Sequence, residues 1–252
     1  MEIIMSPAKL MDFSSEKIQK STKPLFQEKT KELINVAQKL SVEDIRKEMK
    51  INAKMAQDVF EYFQTFDAKN TPEKAAVFAY NGIAYKGLDA HTLSDKDLKF
   101  AQEHLNIISG LYGIVRTLDK IKPYRLEMGR KIMPKGYENL YDFWGETLNR
   151  HLSSKLKGKQ KVIINVASKE YGKIIDKKLL PPDTRVINVN FLQHKADKFK
   201  QIVVHTKKAR GLMARFIIQN AITKAEDVKA FYLENYFFYP KLSSENEWYF
   251  VR

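Results

Sequence analysis

The sequence predicts a mixed α/β fold in a single domain that spans residues 1–252. Short apolar runs bounded by turn residues alternate with segments whose apolar residues recur at helical spacing, and this alternation predicts the fold class. The length of 252 residues lies near the upper limit of one domain. With 44% hydrophobic residues, including 15 Phe and 12 Tyr, the chain can bury a large core, which excludes an intrinsically disordered protein.

The elements of the first half follow from apolar spacing and from residues that cap helices. Ser6-Pro7 ends the opening apolar run, because proline stops a strand. Ser41, Asn52 and Ser94 can each cap a helix by accepting a hydrogen bond from its first turn. The predictions, in order, are a strand over 2–5, a helix over 25–40, two helices joined by a hairpin over 41–66, a strand over 75–80, a helix over 94–105 and a strand over 106–109.

The second half opens with a segment, 110–136, that is rich in glycine and proline and has no clean period. Its composition predicts a long ordered loop, and such loops often have a function. The remaining predictions are a helix over 140–152, a strand over 161–167, strands over 184–191 and 201–206 joined by a loop over 193–200, helices over 207–221 and 225–233, and a strand over 248–251.

The composition excludes several classes of protein. The absence of cysteine excludes disulfides, thiolate zinc sites and iron–sulfur clusters. There is no signal peptide and no apolar run long enough to cross a membrane, so we expect a cytoplasmic protein without a membrane partner. The five histidines lack the spacing of metal ligands. We therefore expect no metal and no cofactor, and the sequence indicates no protein partner.

The positive charge is concentrated in one quarter of the chain. The net charge is +14, and residues 150–215 contain 17 basic residues against 4 acidic ones. A charge excess that is localised in this way favours a surface that binds nucleic acid or another phosphate-rich partner. The alternative is a solvated face without a ligand.

The strongest cluster of cations lies in residues 207–215. It follows an apolar run directly, so the sequence predicts that these cations surround the N-terminus of a helix. Cations are unfavourable at that end of the helix dipole unless an anion is bound there. We therefore favour an anion site formed by Lys207, Lys208, Arg210 and Arg215.

A second basic segment, 116–131, includes Arg116, Arg125 and Arg130. Tyr124 and Arg125 place a guanidinium beside an aromatic ring, a combination that suits phosphate capture and base stacking. An internal pair between Arg125 and Glu127 that holds the loop down is the equal alternative. No GxxxxGK[ST] or GxGxxG motif is present, so the two glycines of 109–113 indicate either a strand-ending turn or a loop that a ligand approaches.

The helical pair over 41–66 has the pattern of a helix-hairpin-helix element. Such an element grips DNA phosphates through the backbone amides of its hairpin and nearby lysines. Here Lys50, Asn52 and Lys54 would present the hairpin to phosphates. The hairpin lacks the usual glycines and this half of the chain is nearly neutral. An ordinary corner between two helices is therefore the alternative.

Several long strings resemble the bacterial YaaA family of peroxide-stress, DNA-binding proteins. They are Ser6-Pro-Ala-Lys9, Ser109-Gly-Leu-Tyr-Gly113, Pro123-Tyr-Arg-Leu-Glu-Met-Gly129, Leu140-Tyr-Asp-Phe-Trp-Gly145, Asn165-Val-Ala-Ser168 and Lys207-Lys-Ala-Arg-Gly-Leu-Met-Ala-Arg-Phe-Ile-Ile218. The resemblance implies a single domain of unusual α/β fold with a basic cleft and a helix-hairpin-helix element. It also implies binding of double-stranded DNA and a part in iron homeostasis during oxidative stress, and it brings no established catalytic residues.

The basic segments and the resemblance together predict a DNA-binding protein, and the resemblance implies that it acts in the peroxide-stress response and limits iron-dependent DNA damage. Phosphate contacts give affinity without base readout, so binding is expected to be structure-selective or non-specific. An enzyme that acts on a nucleotide or small phosphorylated compound in the same cleft is the alternative. The residues predicted to bind phosphates are Lys207, Lys208, Arg210, Arg215, Arg116, Arg125, Arg130, Lys50, Asn52 and Lys54.

Overall fold

An eight-stranded, mostly parallel sheet organises the computed structural model, which describes residues 1–14, 21–158, 160–195 and 198–252. The strand order is β4-β3-β1-β6-β7-β10-β9, with β8 paired to β7, and β2 and β5 form a separate pair. The mixed α/β prediction is confirmed. The strands are β1 (Glu2–Met5), β2 (Lys74–Ala75), β3 (Leu105–Ser109), β4 (Gly113–Arg116), β5 (Lys120–Ile121), β6 (Val162–Asn165), β7 (Arg185–Lys195), β8 (Lys198–Lys200), β9 (Phe237–Phe238) and β10 (Glu247–Val251).

Helices pack on both faces of the sheet. None of those in the described part of the chain is long and apolar enough to cross a membrane. Short 3-10 turns lie at Ala90–Thr92, Lys177–Leu179, Ala225–Ala230, Leu233–Asn235 and Pro240–Leu242. The α-helices are α1 (Gln27–Ala37), α2 (Val42–Met49), α3 (Ala53–Gln64), α4 (Ala76–Ala79), α5 (Ile83–Leu88), α6 (Asp95–His104), α7 (Leu140–Lys155), α8 (Lys169–Gly172) and α9 (Val203–Gln219).

Three helices begin where the sequence predicts them, because each capping side chain bonds to an amide only three residues later in the sequence. The side chains of Ser41 and Ser94 each accept a bond from the third residue of the helix, and an aspartate at that position bonds back. Asn52 accepts from the amide of Met55, 2.8 Å away, and so opens α3. These predicted caps are confirmed.

The start of α9 differs from the prediction. Residues 201–206 resemble a strand because Ile202, Val203 and Val204 follow one another, but the helix already begins at Val203. Strand β7 pairs with β6, β10 and β8, so its edges are already occupied. Tertiary context therefore outweighs the β propensity of this run. Residues 196 and 197, in the predicted loop over 193–200, lie outside the described residues.

Three further predictions are wrong in part. The run over 75–80 is a strand only at its first residue and then becomes α4. The predicted loop 110–136 contains β4 and β5, because the chain turns back after Ser109, whose Oγ accepts bonds from the amides of Leu111 and Tyr112. Residues 225–233, predicted as a helix, form a 3-10 helix only as far as Ala230.

One face of the sheet is covered by α9. Ile3, Ile164 and Ile187 stand side by side in neighbouring strands, and Phe191 lies on the same face of β7 because strand residues alternate. Its ring packs against that of Phe231, which in turn packs against Phe216 of α9. These buried side chains belong to one continuous hydrophobic cluster.

The other face contacts α7 through a buried carboxylate. Glu2 lies 2.6 Å from Lys155 Nζ, accepts from Asn106 Nδ2 at 2.9 Å, and lies 3.6 Å from His104 Nδ1. Burial alone raises the pKa of Glu2. The hydrogen bond with His104, the charge and hydrogen bond of Lys155 and the hydrogen bond from Asn106 outweigh burial and hold the pKa below 4.5. This cluster joins β1, β3, α6 and α7.

Helices α5 and α9 cross at unusually close range through two glycines. A Cβ added to Gly211 would overlap the carbonyl oxygen of Ala84 and lie 2.8 Å from the amide nitrogen of Leu88. A Cβ added to Gly87 would overlap the carbonyl oxygen of Lys208. Backbone therefore rests directly on backbone at this crossing.

Candidate nucleic-acid and phosphate interface

The three central strands, β3, β1 and β6, are parallel, so their carboxyl ends meet at one edge of the sheet, here called the carboxyl edge. The chain leaves β1 towards β3 on one side and later returns to β6 on the other side. In open α/β sheets, ligands bind outside the carboxyl ends at such a reversal of strand order. Here the amide of Ser168 donates to Ser6 Oγ at 2.8 Å, and Tyr85 donates to the carbonyl oxygen of Ser6 at 3.0 Å.

Residues 124–130 lie across this edge. The hydroxyl of Tyr124 contacts Ser109 Oγ at 2.7 Å at the end of β3. The carbonyl oxygen of Leu126 rests on Gly110, where an added Cβ would overlap it. Further along, the amide of Gly129 donates to Glu170 Oε1 at 3.2 Å, close after β6. The segment therefore connects the ends of strands that are distant in sequence.

Glu127, in the middle of this segment, is the centre of a charged cluster. Its carboxylate lies 3.1 Å from Lys9 Nζ, 3.2 Å from Arg125 Nη2 and 3.6 Å from Arg130 Nε. Burial raises its pKa, but the bond from Lys9 and the charges of Arg125, Lys9 and Arg130 outweigh burial, so the pKa lies below its ordinary value. This Glu127 cluster of three cations and one carboxylate has a net charge of about +2, which suits an anionic ligand.

A chain of buried hydroxyls adjoins the Glu127 cluster. The hydroxyl of Tyr124 lies 2.7 Å from that of Tyr80 and 2.7 Å from Ser109 Oγ. Burial raises the pKa of Tyr124 to about 12, despite its bonds with Ser109 and Tyr80. The hydroxyls therefore stay protonated at neutral pH and can both donate and accept.

The α2–α3 hairpin lies beside this segment. Arg125 Nη1 lies 3.9 Å from Met55 Sδ in α3, and the amide of Lys131 donates to Glu48 Oε1 in α2 at 2.7 Å. The hairpin tip, residues 50–54, turns through Lys50 in a left-handed conformation (φ 52°). At the tip, Lys50, Asn52 and Lys54 are exposed. Asn52 also caps α3, so its side-chain oxygen is already occupied.

The sequence predicts that the cations of residues 207–215 surround a helix N-terminus, and this prediction is wrong. Helix α9 begins earlier, at Val203. Lys207 is exposed, and Lys208 Nζ lies 2.5 Å from Glu234. Arg215 donates to the carbonyl oxygens that end α5, at 3.0 Å and 2.9 Å. The helix dipole therefore does not favour an anion at these four cations.

Arg210 differs from its neighbours. It is largely buried, its Nε has no hydrogen-bond partner, and no carboxylate of the described residues forms an ion pair with it. Burial lowers the pKa of its guanidinium.

Arg116 stabilises the turn between β4 and β5. Its guanidinium lies 2.8 Å from the buried carboxylate of Asp119 and donates to the carbonyl oxygen of Lys23 at 3.1 Å. The structure thus brings Arg125 next to the start of α3, and Arg130 lies beside Glu127 in the same segment. Within the described ranges, no hydrogen bond or ion pair joins either arginine to the four cations of α9. The pair between Arg125 and Glu127, one of the two sequence alternatives, is present.

Sequence reasoning missed Lys9, Ser6 and Ser168 as members of this region. The available signal was positional: each follows an apolar run that proves to be a parallel strand. In the described part of the chain, no three histidine or acidic side chains are placed to hold a metal ion together.

Comparisons with known proteins find relatives that match the chain over its whole length. Residues 1–242 match the family model described as peroxide stress protein YaaA. The chain belongs to this family. A relative named UPF0246 protein, from Francisella philomiragia, is 42% identical over 257 residues, and the match covers all of both chains. Another of that name, from Maricaulis maris, is 43% identical over 255 residues, with 100% of this chain and 96% of the relative covered. The resemblance noted in the sequence is confirmed, and YaaA membership indicates a role in oxidative stress.

Proposed function

We propose that the protein binds duplex DNA in the cytoplasm and limits iron-dependent DNA damage during peroxide stress. The observation on which the proposal depends is the α2–α3 hairpin, which we infer to be a helix-hairpin-helix element. Its exposed tip carries Lys50 and Lys54 on either side of the start of α3.

The N-terminus of α3 favours an anion. The amides of the first helical residues have no acceptor within a helix, and here only that of Met55 is capped, by Asn52. No acidic residue lies in the first turn of this twelve-residue helix, while Lys54 does. A cation at the positive end of a helix dipole is stabilised when a phosphate binds there.

The basic groups beside the tip extend the proposed contact into a cleft. Arg125 adjoins α3, and Arg125, Arg130 and Lys9 together outnumber the single carboxylate of Glu127. Contacts of this kind address the DNA backbone and not base edges, which supports structure-selective or non-specific binding. Lys208 and Arg215 already have protein partners, so the proposal assigns the main contact to the hairpin.

We expect a Lys50→Gln, Lys54→Gln variant to bind duplex DNA at least fivefold more weakly at physiological salt, a loss of about 1 kcal/mol for two exposed charges. Its plot of log affinity against log salt should be shallower by roughly 1.8, because each neutralised phosphate contributes about 0.9. Fluorescence anisotropy titrations between about 50 and 200 mM salt measure both quantities.

Lys177→Gln with Lys178→Gln is the matched control, because both lysines are exposed and lie in a 3-10 turn away from the hairpin. The control should keep the wild-type slope, and both variants should melt like wild type. If the hairpin variant has the same affinity and slope as the control, the hairpin does not bind phosphates.

The Glu127 cluster supports a second candidate, an enzyme for a nucleotide or small phosphorylated compound. The specific observation is that Lys9, Arg125 and Arg130 converge at the reversal of strand order, beside protonated buried hydroxyls. Cations there could hold a phosphate.

For this candidate we expect ATP to raise the melting temperature of wild type at constant ionic strength, since a ligand that binds only the folded state stabilises it. The shift should be lost in Arg125→Gln and kept in the Lys177→Gln control. An equal shift in both variants would exclude the Glu127 cluster as the phosphate site.

A further inference from the structure

The β7–β8 hairpin extends the sheet beyond its neighbours. Strand β7 has eleven residues, whereas β6 has four, and the last three residues of β7 pair with β8. The register is Gln193 with Lys200, His194 with Phe199 and Lys195 with Lys198. This part of the molecule is thus a two-stranded ribbon.

The two sides of this ribbon have different characters. Residues opposite each other in an antiparallel pair share a side, and sides alternate along each strand. His194 and Phe199 therefore lie on one side, where the Phe199 ring lies 5.3 Å from that of Tyr239. Lys195, Lys198 and Lys200 lie together on the other side, which we call the lysine face. On the aromatic side, Phe199 contacts the rest of the protein through Tyr239, and the three lysines of the lysine face are exposed.

Among the described residues, the lysine face has no compensating charge. No carboxylate of the described residues forms an ion pair with any of its three lysines. Lys195 and Lys198 stand directly opposite each other, and like charges in that position destabilise a strand pair. A polyanion bound across the ribbon would remove this repulsion.

The spacing of the lysines suits a DNA strand. Lys198 and Lys200 are two residues apart, about 6.8 Å along a strand, which is roughly the axial distance between alternate phosphates of one DNA strand. The positive surface continues from the ribbon to Arg252, next to Leu192, and to Lys208 of α9. These two cations share the single carboxylate of Glu234, at 3.2 Å and 2.5 Å.

We propose that the lysine face is a second surface for duplex DNA, which it contacts through backbone phosphates. This inference rests on the proposed function and adds a contact that lies outside the α2–α3 hairpin. Because it predicts a separate set of phosphates, its effect on the salt dependence should add to that of the hairpin variant.

The test is a Lys195→Gln, Lys198→Gln, Lys200→Gln variant of the full chain, titrated with labelled duplex DNA at several salt concentrations. We expect the log–log salt slope to be shallower by about 2.7 and the affinity at 0.1 M salt to fall roughly tenfold or more. Without DNA, the variant should melt at or slightly above the wild-type temperature, because the repulsion between Lys195 and Lys198 is removed.

Lys157→Gln, Lys177→Gln, Lys178→Gln is the control, since it removes the same charge from exposed lysines near α7. If the lysine-face variant binds duplex DNA like this control while wild type binds normally, the inference is wrong and the proposed function stands. A loss of affinity for single-stranded DNA alone would also overturn it. If wild type binds no duplex DNA, both proposals fail.

Discussion

A Gly211→Ala variant is expected to lose roughly 3 kcal/mol of unfolding free energy, the upper range for overpacking a core. At about 2–4 °C per kcal/mol for a chain of this size, its melting temperature should fall by roughly 6–12 °C. The added methyl group would overlap the carbonyl oxygen of Ala84 and approach Leu88 N to 2.8 Å. Both are backbone atoms, so no side-chain rotation can relieve the contact, and α5 and α9 must separate.

Gly145→Ala provides the matched control for this prediction. Gly145 also lies within a helix, α7, but an added Cβ would have no neighbour within 4 Å. Alanine in a helix interior is more stable than glycine by roughly 0.5–1 kcal/mol, so this variant should melt slightly above wild type. Equal melting temperatures for the two variants, measured by circular dichroism, would contradict the close crossing of α5 and α9.

Glu2→Gln is expected to cost about 2–3 kcal/mol at neutral pH. Removing one partner of a buried ion pair costs about 3–5 kcal/mol, and partial exposure of Lys155 reduces that figure. Because the folded-state pKa of Glu2 lies below 4.5, its ionised form contributes stability above that pH. The contribution is lost as the pH falls through the folded-state pKa.

Urea unfolding between neutral and acid pH measures this contribution. The difference in unfolding free energy between wild type and Glu2→Gln should be largest at neutral pH and should narrow below pH ~4.5. Glu32→Gln, an exposed carboxylate of α1, should differ from wild type by no more than about 0.5 kcal/mol at any pH. A Glu2→Gln difference that stays constant with pH would contradict the ion-pair explanation.

Local signals predict much of the fold. The caps at Ser41, Asn52 and Ser94 are correct because a cap involves atoms only three residues apart. The central strands β1 and β6 are recognisable because strands buried on both faces are continuous apolar runs. The start of α9 at Val203 is not predictable in this way, because only the sheet shows that β7 has no free edge.

In the candidate site, too, contacts between near neighbours in the sequence could be predicted, and contacts between distant residues could not. The pair between Arg125 and Glu127 is visible in the sequence as an alternative, because the two residues are near neighbours. The contact of Lys9 with Glu127 and that of Lys208 with Glu234 depend on tertiary structure. Charge counting therefore identifies basic segments, but it does not show which cations already have a partner within the protein.

The position of β1 has a consequence for how the chain folds as it is synthesised. Its partners in the sheet are β3, about 100 residues later, and β6, later still. At roughly 5–20 residues per second, the ribosome needs about 5–20 s to make the intervening chain. Throughout that interval Ile3, Ile4 and Met5 have no partner strand and are open to aggregation. The exposed apolar segment is short, because β1 has only four residues. Charged residues lie at both of its ends, Glu2 at the start of the strand and Lys9 shortly after it, and such charges oppose aggregation.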